Sequence, residues 1–174
     1  CIRDRYYREL NLHFARLSLA LSSGGQYNDV LVLEPTTSIW MYYTYNAPRP
    51  NRWRTMGEEF QAFITALERH QVEFDLGSEN ILLNHGSVKG DRFVVGKRAY
   101  GTVVLPAQME NVDAATFDLL ERFAAKGGRI IAYGTPQYVD GARSAEAEAF
   151  FADPAKVTRA DAGEPIDYSL FATP

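Results

Sequence analysis

The sequence predicts a three-layer α/β fold, in which a parallel sheet of at least four strands lies between two layers of helices. Short runs of valine, leucine and isoleucine alternate with longer amphipathic segments, and glycine or proline marks many of the boundaries. This alternation is typical of right-handed βαβ crossovers. The chain has 174 residues, 46% of them apolar, which is enough for one packed core. An antiparallel sandwich is disfavoured because the helical faces between the strands are too regular.

The chain opens with an amphipathic helix, which Gly24 and Gly25 are expected to end. Its apolar side chains recur every three or four residues, at Tyr6, Leu10, Phe14, Leu17 and Leu21. The apolar run at 30–33 is too short for a helix, and it predicts a first strand buried on both faces.

Residues 34–53 read EPTTSIWMYYTYNAPRPNRW and contain both tryptophans of the chain. Residues 36–53 are predicted to form a long loop, which is uncommon in a compact domain and favours a binding or docking role. Tyrosine and tryptophan suit sugar stacking, protein interfaces and half-buried core edges alike, so these alternatives stay open. The candidate carbohydrate or domain-interface residues are Glu34, Ser38, Trp40, Tyr42, Tyr43, Tyr45 and Trp53. We expect at least two of these five aromatic side chains to be accessible.

Three more elements are predicted between the loop and the middle of the chain. Thr55 and Glu58 match a T-x-x-E capping box at the start of a helix whose apolar face carries Phe60, Ile64 and Leu67. A strand follows at 72–76, and SENILLNHG predicts a short helix. A small strand is predicted within RFVVG.

The last third repeats the strand and helix alternation. A third buried strand is expected at 102–105, and Asp113 is placed to cap the next helix, which Gly127 and Gly128 end. A fourth strand is expected at 130–133, and SAEAEAFF predicts a short helix. The expected division is a helix leading from a preceding domain at 1–24, the α/β domain at 25–152 and an irregular tail or linker at 153–174. Because the chain begins without methionine, inside a predicted helix, we expect it to be a segment of a longer protein.

Composition argues against several classes of partner. Eighteen basic and 22 acidic residues are scattered along the chain, so no basic stripe is available for nucleic acid. No apolar run approaches the ~20 residues that a membrane span requires. The only cysteine is Cys1, which excludes an internal disulfide and a cysteine-based metal site, and no metal is expected. Cys1 alone assigns no compartment.

The predicted strand ends are the places where catalytic and cofactor motifs are expected, because ligands of parallel sheets gather there. The sequence after Leu33 has neither a dinucleotide nor a P-loop glycine pattern, and Pro35 removes a backbone donor that a flavin phosphate loop would use. No cofactor is therefore expected. The sequence PAQMENV after Leu105 lacks the cysteine or serine nucleophile of a strand-end elbow. His70 and His85 are interpreted as favourable partners of helix carboxyl ends.

Four carboxylates fall at or near predicted strand ends, and a glycosidase would need two of them ~5–9 Å apart. They are Glu34, Asp75, Glu79 and Glu110. Glu79 is interpreted as a first-turn helix residue, Asp75 as a polar strand-end residue and Glu110 as a surface loop charge. No catalytic set is predicted.

Several motifs together resemble a known family of domains. The specific ones are A-R-L-S with a downstream S-x-G, V-L-x-P-x-x-S-x-W, Y-x-x-V-V-L-P and a later G-G-R-I-I. Across about residues 10–140 the chain resembles the domain that follows the catalytic barrel in large glycoside hydrolases. It is most similar to that of family 106 α-L-rhamnosidases, and more distantly to the β-galactosidase trimerisation domain of family 42.

The resemblance implies a flavodoxin-like, class I glutamine amidotransferase-like fold and a non-catalytic accessory or assembly role. Its expected partners are the catalytic barrel and β-sandwich of the same polypeptide, carbohydrate, and further copies of the chain. Pro35, Ser38 and Trp40 match the strand-end motif, which implies that this loop faces the barrel or its sugar site. A periplasmic or extracellular location is expected for the parent enzyme. The alternative is a free-standing flavodoxin-like or amidotransferase-like domain that binds a small ligand.

Overall fold

The structure is a computed structural model that describes residues 2–46, 50–161 and 166–171, and the side chains from Tyr6 onward within them. The helices described are α1 (Ile2–Ser22), α2 (Thr36–Trp40), α3 (Arg52–Arg69), α4 (Glu79–His85), α5 (Ala114–Ala125) and α6 (Ala145–Ala152). The strands are β1 (Val30–Leu33), β2 (Phe74–Gly77), β3 (Gly86–Lys89), β4 (Arg92–Val95), β5 (Arg98–Tyr100), β6 (Thr102–Leu105), β7 (Asn111–Val112), β8 (Arg129–Ala132), β9 (Tyr138–Val139), β10 (Ala142–Arg143) and β11 (Thr158–Arg159). A 3-10 helix spans Tyr168–Phe171.

The main sheet has five strands in the order β2-β1-β6-β8-β11, and every pairing in it is parallel. Numbered along the chain, this is the order 2-1-3-4-5, which is the flavodoxin-like arrangement. The predicted parallel α/β fold is confirmed, and all four strands expected from the sequence belong to this sheet.

Helices cover both faces of the sheet, as predicted. Because side chains alternate along a strand, Leu31 and Leu33 enter the core cluster that contains Phe123 of α5. Val30 and Val32 enter the opposite cluster, which contains Leu67 of α3. The continuous apolar strands seen in the sequence are therefore those that bury both faces.

Two small sheets, mostly missed by the sequence interpretation, lie outside the main one. Strands β3, β4 and β5 form an antiparallel meander between α4 and β6, of which only β4 was expected. Strands β7, β9 and β10 form the second, and they belong to the loops that follow β6 and β8.

The predicted capping box at Thr55 and Glu58 is wrong, because α3 begins at Arg52. Asn51 occupies the N-cap position, and its side-chain oxygen accepts a hydrogen bond of 3.1 Å from the backbone N–H of Arg54. The predicted loop at 36–53 is also too long, since α2 occupies its first five residues. Residues 47–49 lie outside the described part of the chain.

The C-terminal segment, predicted to be irregular from residue 153, contributes to the sheet. Strand β11 pairs in parallel with β8, and Phe171 is buried in the cluster that contains Leu67. The sheet thus extends past the predicted boundary, while residues 162–165 and 172–174 lie outside the description.

Helix α1 confirms the predicted first helix, but its apolar face is not part of the core. Every described side chain from Tyr6 to Ser22 is exposed, including those of Leu10, Phe14 and Leu17. Among the described helices, α1 included, none combines the length and apolar character needed to cross a membrane.

Candidate functional site at the carboxyl edge of the sheet

The candidate site lies where the strand order reverses, between β1 and β6. At such a switch point the loops that follow the two strands diverge and leave a crevice at the carboxyl edge of the sheet. Here the loop after β1 carries α2 and then Tyr42, Tyr43 and Tyr45. The loop after β6 leads through β7 to α5.

Ser38 fixes the first loop to the second. Its side chain is fully buried, and its hydroxyl oxygen accepts hydrogen bonds from the backbone N–H groups of Glu110 (3.0 Å) and Asn111 (2.9 Å). The hydroxyl also donates to the carbonyl oxygen of Asn111 at 3.2 Å. Ser38, a predicted candidate, is thus placed at the site as a structural anchor of α2.

Glu79 is a buried carboxylate that connects three helices. It is 4% exposed, and its Oε1 accepts a hydrogen bond of 2.7 Å from the backbone N–H of Asp113, while its Oε2 accepts one of 2.5 Å from the hydroxyl of Thr37. Burial raises the pKa of Glu79, and the hydrogen bonds from Thr37 and Asp113 oppose that shift. Glu79 is a first-turn residue of α4, as predicted, but its main contacts are with α2 and the start of α5.

Asp113 occupies the predicted N-cap position of α5, but its side chain makes no capping hydrogen bond. Instead, the Oδ1 atom of Asp140 accepts from the backbone N–H of Ala114 at 3.0 Å. Burial, reinforced by the charge of Asp140, raises the pKa of Asp113. The expectation that the side chain of Asp113 caps α5 is therefore wrong, because the hydrogen bond at the start of α5 is accepted by Asp140, in the loop after β8.

Glu110 binds two side chains from the loop between β1 and α3 and the start of α3, those of Tyr42 and Arg52. Its Oε2 accepts a hydrogen bond of 2.5 Å from the hydroxyl of Tyr42, and its Oε1 forms an ion pair with Arg52. The guanidinium carbon of Arg52 lies 4.4 Å from the centre of the Tyr42 ring. The hydrogen bond to Glu110 is the main cause that raises the pKa of Tyr42. With its side chain 27% exposed, Glu110 is not the free surface charge that the sequence suggested.

Three aromatic side chains near Tyr42 in the sequence are exposed to solvent. Trp40 is 71% exposed, Tyr43 58% and Tyr45 88%, and we call them the aromatic surface. Trp53 is half-buried, with its ring centre 5.4 Å from that of Tyr43. The expectation that at least two of the five aromatic candidates are accessible is confirmed.

The other two candidate carboxylates are those of Asp75 and Glu34. Asp75 accepts hydrogen bonds from Asn28 (2.6 Å) and Tyr100 (2.8 Å), so both its oxygens have structural partners. Glu34 is half-buried, and its backbone N–H donates to the carbonyl oxygen of Gly77. Within the described residues, no three histidine, cysteine, aspartate or glutamate side chains converge as they would around a metal ion.

Clefts run along the same edge of the sheet, beside α3. One, of about 420 Å³, is lined by polar side chains that include Arg52, Thr135 and Gln137. Another, of about 400 Å³, lies against α3 and is lined by Phe63, Ala107 and Tyr133 among others. Ala107 and Gln108 stand just after β6, where an elbow nucleophile would be.

Comparison with known protein families, curated proteins and solved structures finds no match to this chain. The fold is defined by its topology as a flavodoxin-like α/β fold. The resemblance to the accessory domains of glycoside hydrolases stays a prediction.

Proposed function

We propose that this chain is a non-catalytic accessory or assembly domain of a multidomain carbohydrate-degrading enzyme of the α-L-rhamnosidase or β-galactosidase type. The observation that carries the proposal is the aromatic surface, which exposes three large side chains at the carboxyl edge of the sheet. Large exposed apolar groups near one another are typical of interaction sites. The neighbouring catalytic barrel is the proposed partner, with a sugar in its cleft as a further contact.

Helix α1 supports the same proposal. Its exposed side chains include Leu10, Phe14, Leu17 and Leu21, and a helix with so much apolar surface gains free energy when a partner covers it. In the proposed parent enzyme, α1 leads from the preceding domain and packs against it.

The docking role is tested with the parent enzyme, identified from the gene sequence on both sides of this segment. The chain and the preceding domains are produced separately, and their association is measured by calorimetry. Replacing Trp40 and Tyr45 by serine is expected to weaken association by at least tenfold, because exposed aromatic anchors carry much of an interface's energy. Unchanged association of the double variant would refute docking through this surface.

The same double substitution, Trp40→Ser with Tyr45→Ser, is expected to leave the melting temperature of the isolated chain nearly unchanged. Both side chains are mostly exposed, and such surface changes usually alter stability by less than ~0.5 kcal/mol. The control is Phe93→Ser in the core, where burial is complete and the loss is expected to be several kcal/mol. A large loss in the double variant would mean that these rings stabilise their own domain.

The isolated chain is expected to hydrolyse neither aryl glycosides nor glutamine above background. The carboxylates of Glu79 and Glu110 are bonded to backbone or side-chain groups, and no elbow nucleophile follows β6. Release of nitrophenol or ammonia is the measurement. Turnover that survives repurification and is lost in Glu34→Gln or Glu79→Gln would contradict the expectation.

A second candidate function is a free-standing domain that binds a small ligand, and the clefts beside α3 favour it. Flavin is the simplest case to test, since a bound flavin gives absorbance at ~450 nm that survives gel filtration. Such absorbance would favour this candidate over the assembly role.

A further inference from the structure

Helix α1 carries an apolar stripe that the described part of the chain leaves uncovered. The stripe, which we call the heptad stripe, consists of Tyr7, Leu10, Phe14, Leu17 and Leu21, and all five side chains are exposed. Their spacing alternates between three and four residues, so they lie on one face of the helix. An average spacing of 3.5 residues is the repeat of helices that pack side by side in coiled coils. The heptad stripe therefore indicates a partner that is itself a helix.

A second apolar feature lies on the opposite face of α1. Leu12 and Leu19 are both exposed, and because each residue turns a helix by about 100°, they point away from the heptad stripe. A partner that covers one of these faces leaves the other exposed. The preceding domain of the proposed enzyme contacts α1 through Leu12 and Leu19 in this interpretation, and the heptad stripe is left for a second partner.

The residues that flank the heptad stripe include no aspartate, glutamate, lysine or arginine. Between Tyr7 and Leu21 they are Asn11, His13, Ser18 and Ala20. In coiled coils these flanking positions often carry glutamate and lysine, whose ion pairs between helices select the partner. Like charges there would repel an identical helix, so their absence from α1 favours pairing of α1 with itself.

The accessible surface of the chain is larger than that of a compact monomer of its size. A globular protein of 19.5 kDa is expected to expose about 8,500 Å². This chain exposes 11078 Å², an excess of about 2,500 Å² to which α1 contributes with every described side chain. A stable interface takes about 800 Å² from each partner, so the excess is more than one such interface requires.

We propose that the heptad stripe is a self-association surface, through which α1 of one chain packs against α1 of a second copy. A second copy carries the same 3.5-residue repeat and the same uncharged flanks, so the two stripes are complementary and bury each other in a two-fold dimer. The proposal goes beyond the docking role and is independent of it, because the heptad stripe and the aromatic surface share no residue.

Sedimentation velocity of the full chain tests the proposal at concentrations from about 1 to about 100 µM. The mean mass is expected to rise with concentration from 19.5 kDa towards twice that value. The expected dissociation constant is about 10 µM or lower, since interfaces of standard size range from micromolar to picomolar.

Leu10→Glu combined with Leu17→Glu is expected to weaken the dimer at least about tenfold, because it places carboxylates in an apolar seam between helices. The matched control is Leu12→Glu combined with Leu19→Glu, which makes the same two changes at the same spacing on the opposite face. The control is expected to change the dissociation constant by less than about twofold, since that face is outside the seam. Glutamate favours helices nearly as well as leucine, and circular dichroism shows whether α1 stays helical in each variant.

Two results would overturn the proposal. A wild-type chain that stays monomeric over the whole range would mean that the heptad stripe is covered by a different partner, such as the preceding domain. An equal loss of the dimer in both double variants would mean that association does not depend on the stripe. Either result leaves the docking proposal intact, because that proposal is measured through Trp40 and Tyr45.

Discussion

Ser38→Ala is expected to lower the free energy of unfolding by about 2–4 kcal/mol. The substitution removes the acceptor of two backbone N–H groups, those of Glu110 and Asn111, and Asn111 is itself buried. Each buried donor left without a partner costs roughly 1–3 kcal/mol, which is more than the loss of a solvent-exposed bond. Urea denaturation at constant temperature measures the change.

Thr36→Ala is the matched control for Ser38→Ala. Thr36 is an exposed hydroxyl residue of the same short helix, and its loss is expected to change stability by less than ~0.5 kcal/mol. If Ser38→Ala were as mild as Thr36→Ala, the hydroxyl of Ser38 would not hold α2 against the loop after β6.

Glu79→Ala is the second substitution expected to cause a large loss, again about 2–4 kcal/mol at mildly acidic pH. It removes the acceptor of the Asp113 N–H and of the Thr37 hydroxyl from a site that is nearly closed to water. Glu79→Gln is the matched variant, because its amide oxygen accepts from Asp113 while its NH2 group donates to Thr37. Denaturation curves should therefore show a much smaller loss for glutamine than for alanine.

The titration of Glu79 is best isolated by comparing the stability of the wild-type chain with that of Glu79→Gln across pH. Since burial raises the pKa of Glu79, the folded state binds this proton more tightly than the unfolded state. The wild-type chain therefore loses the contribution of this group to stability as the pH rises from the ordinary value of 4.5 through the raised pKa, a loss that is absent from Glu79→Gln. The advantage of the variant is expected to grow by up to ~1.4 kcal/mol for each unit by which the pKa is raised.

Asp113 faces Glu79 and also has a raised pKa, so its titration enters both curves. The difference between wild type and Glu79→Gln isolates the contribution of Glu79 together with its effect on Asp113. A difference that stays flat from pH 4 to 8, or that changes in the opposite direction, would mean that the ionised carboxylate is at least as well stabilised in the folded chain as in water.

The central strands of the main sheet, β1, β6 and β8, were predictable because burial on both faces leaves a local signal. The run at 30–33 is entirely apolar, the run at 102–105 has three apolar residues after Thr102, and the structure places strands at both. Strand β11 has only two residues, both exposed, so its sequence carries no comparable signal. The start of α3 was missed because several polar residues near it are able to cap a helix, and local sequence does not decide among them.

The site itself was predictable only in part, because its contacts join residues distant in sequence. Ser38 bonds to Asn111, 73 positions away, and Thr37 bonds to Glu79, 42 positions away. Nothing in the residue types at these positions indicates the pairing. The exposure of the aromatic surface was expected from the predicted loop, although Trp40 lies at the end of α2, and its proposed partner rests on the resemblance and stays a prediction.

The hydrogen bonds of Ser38, which hold α2 in place, also affect the entropy change when a partner binds at the aromatic surface. Trp40 stands two residues beyond Ser38 on α2, so its backbone is already ordered before a partner arrives. Binding through Trp40 then restricts mainly one side chain, at a cost of about 0.5–1.5 kcal/mol, rather than several backbone residues at about 1–2 kcal/mol each. A partner that contacts Trp40 should consequently associate with a smaller entropy penalty, and dissociate more slowly, than one that must first order a flexible loop.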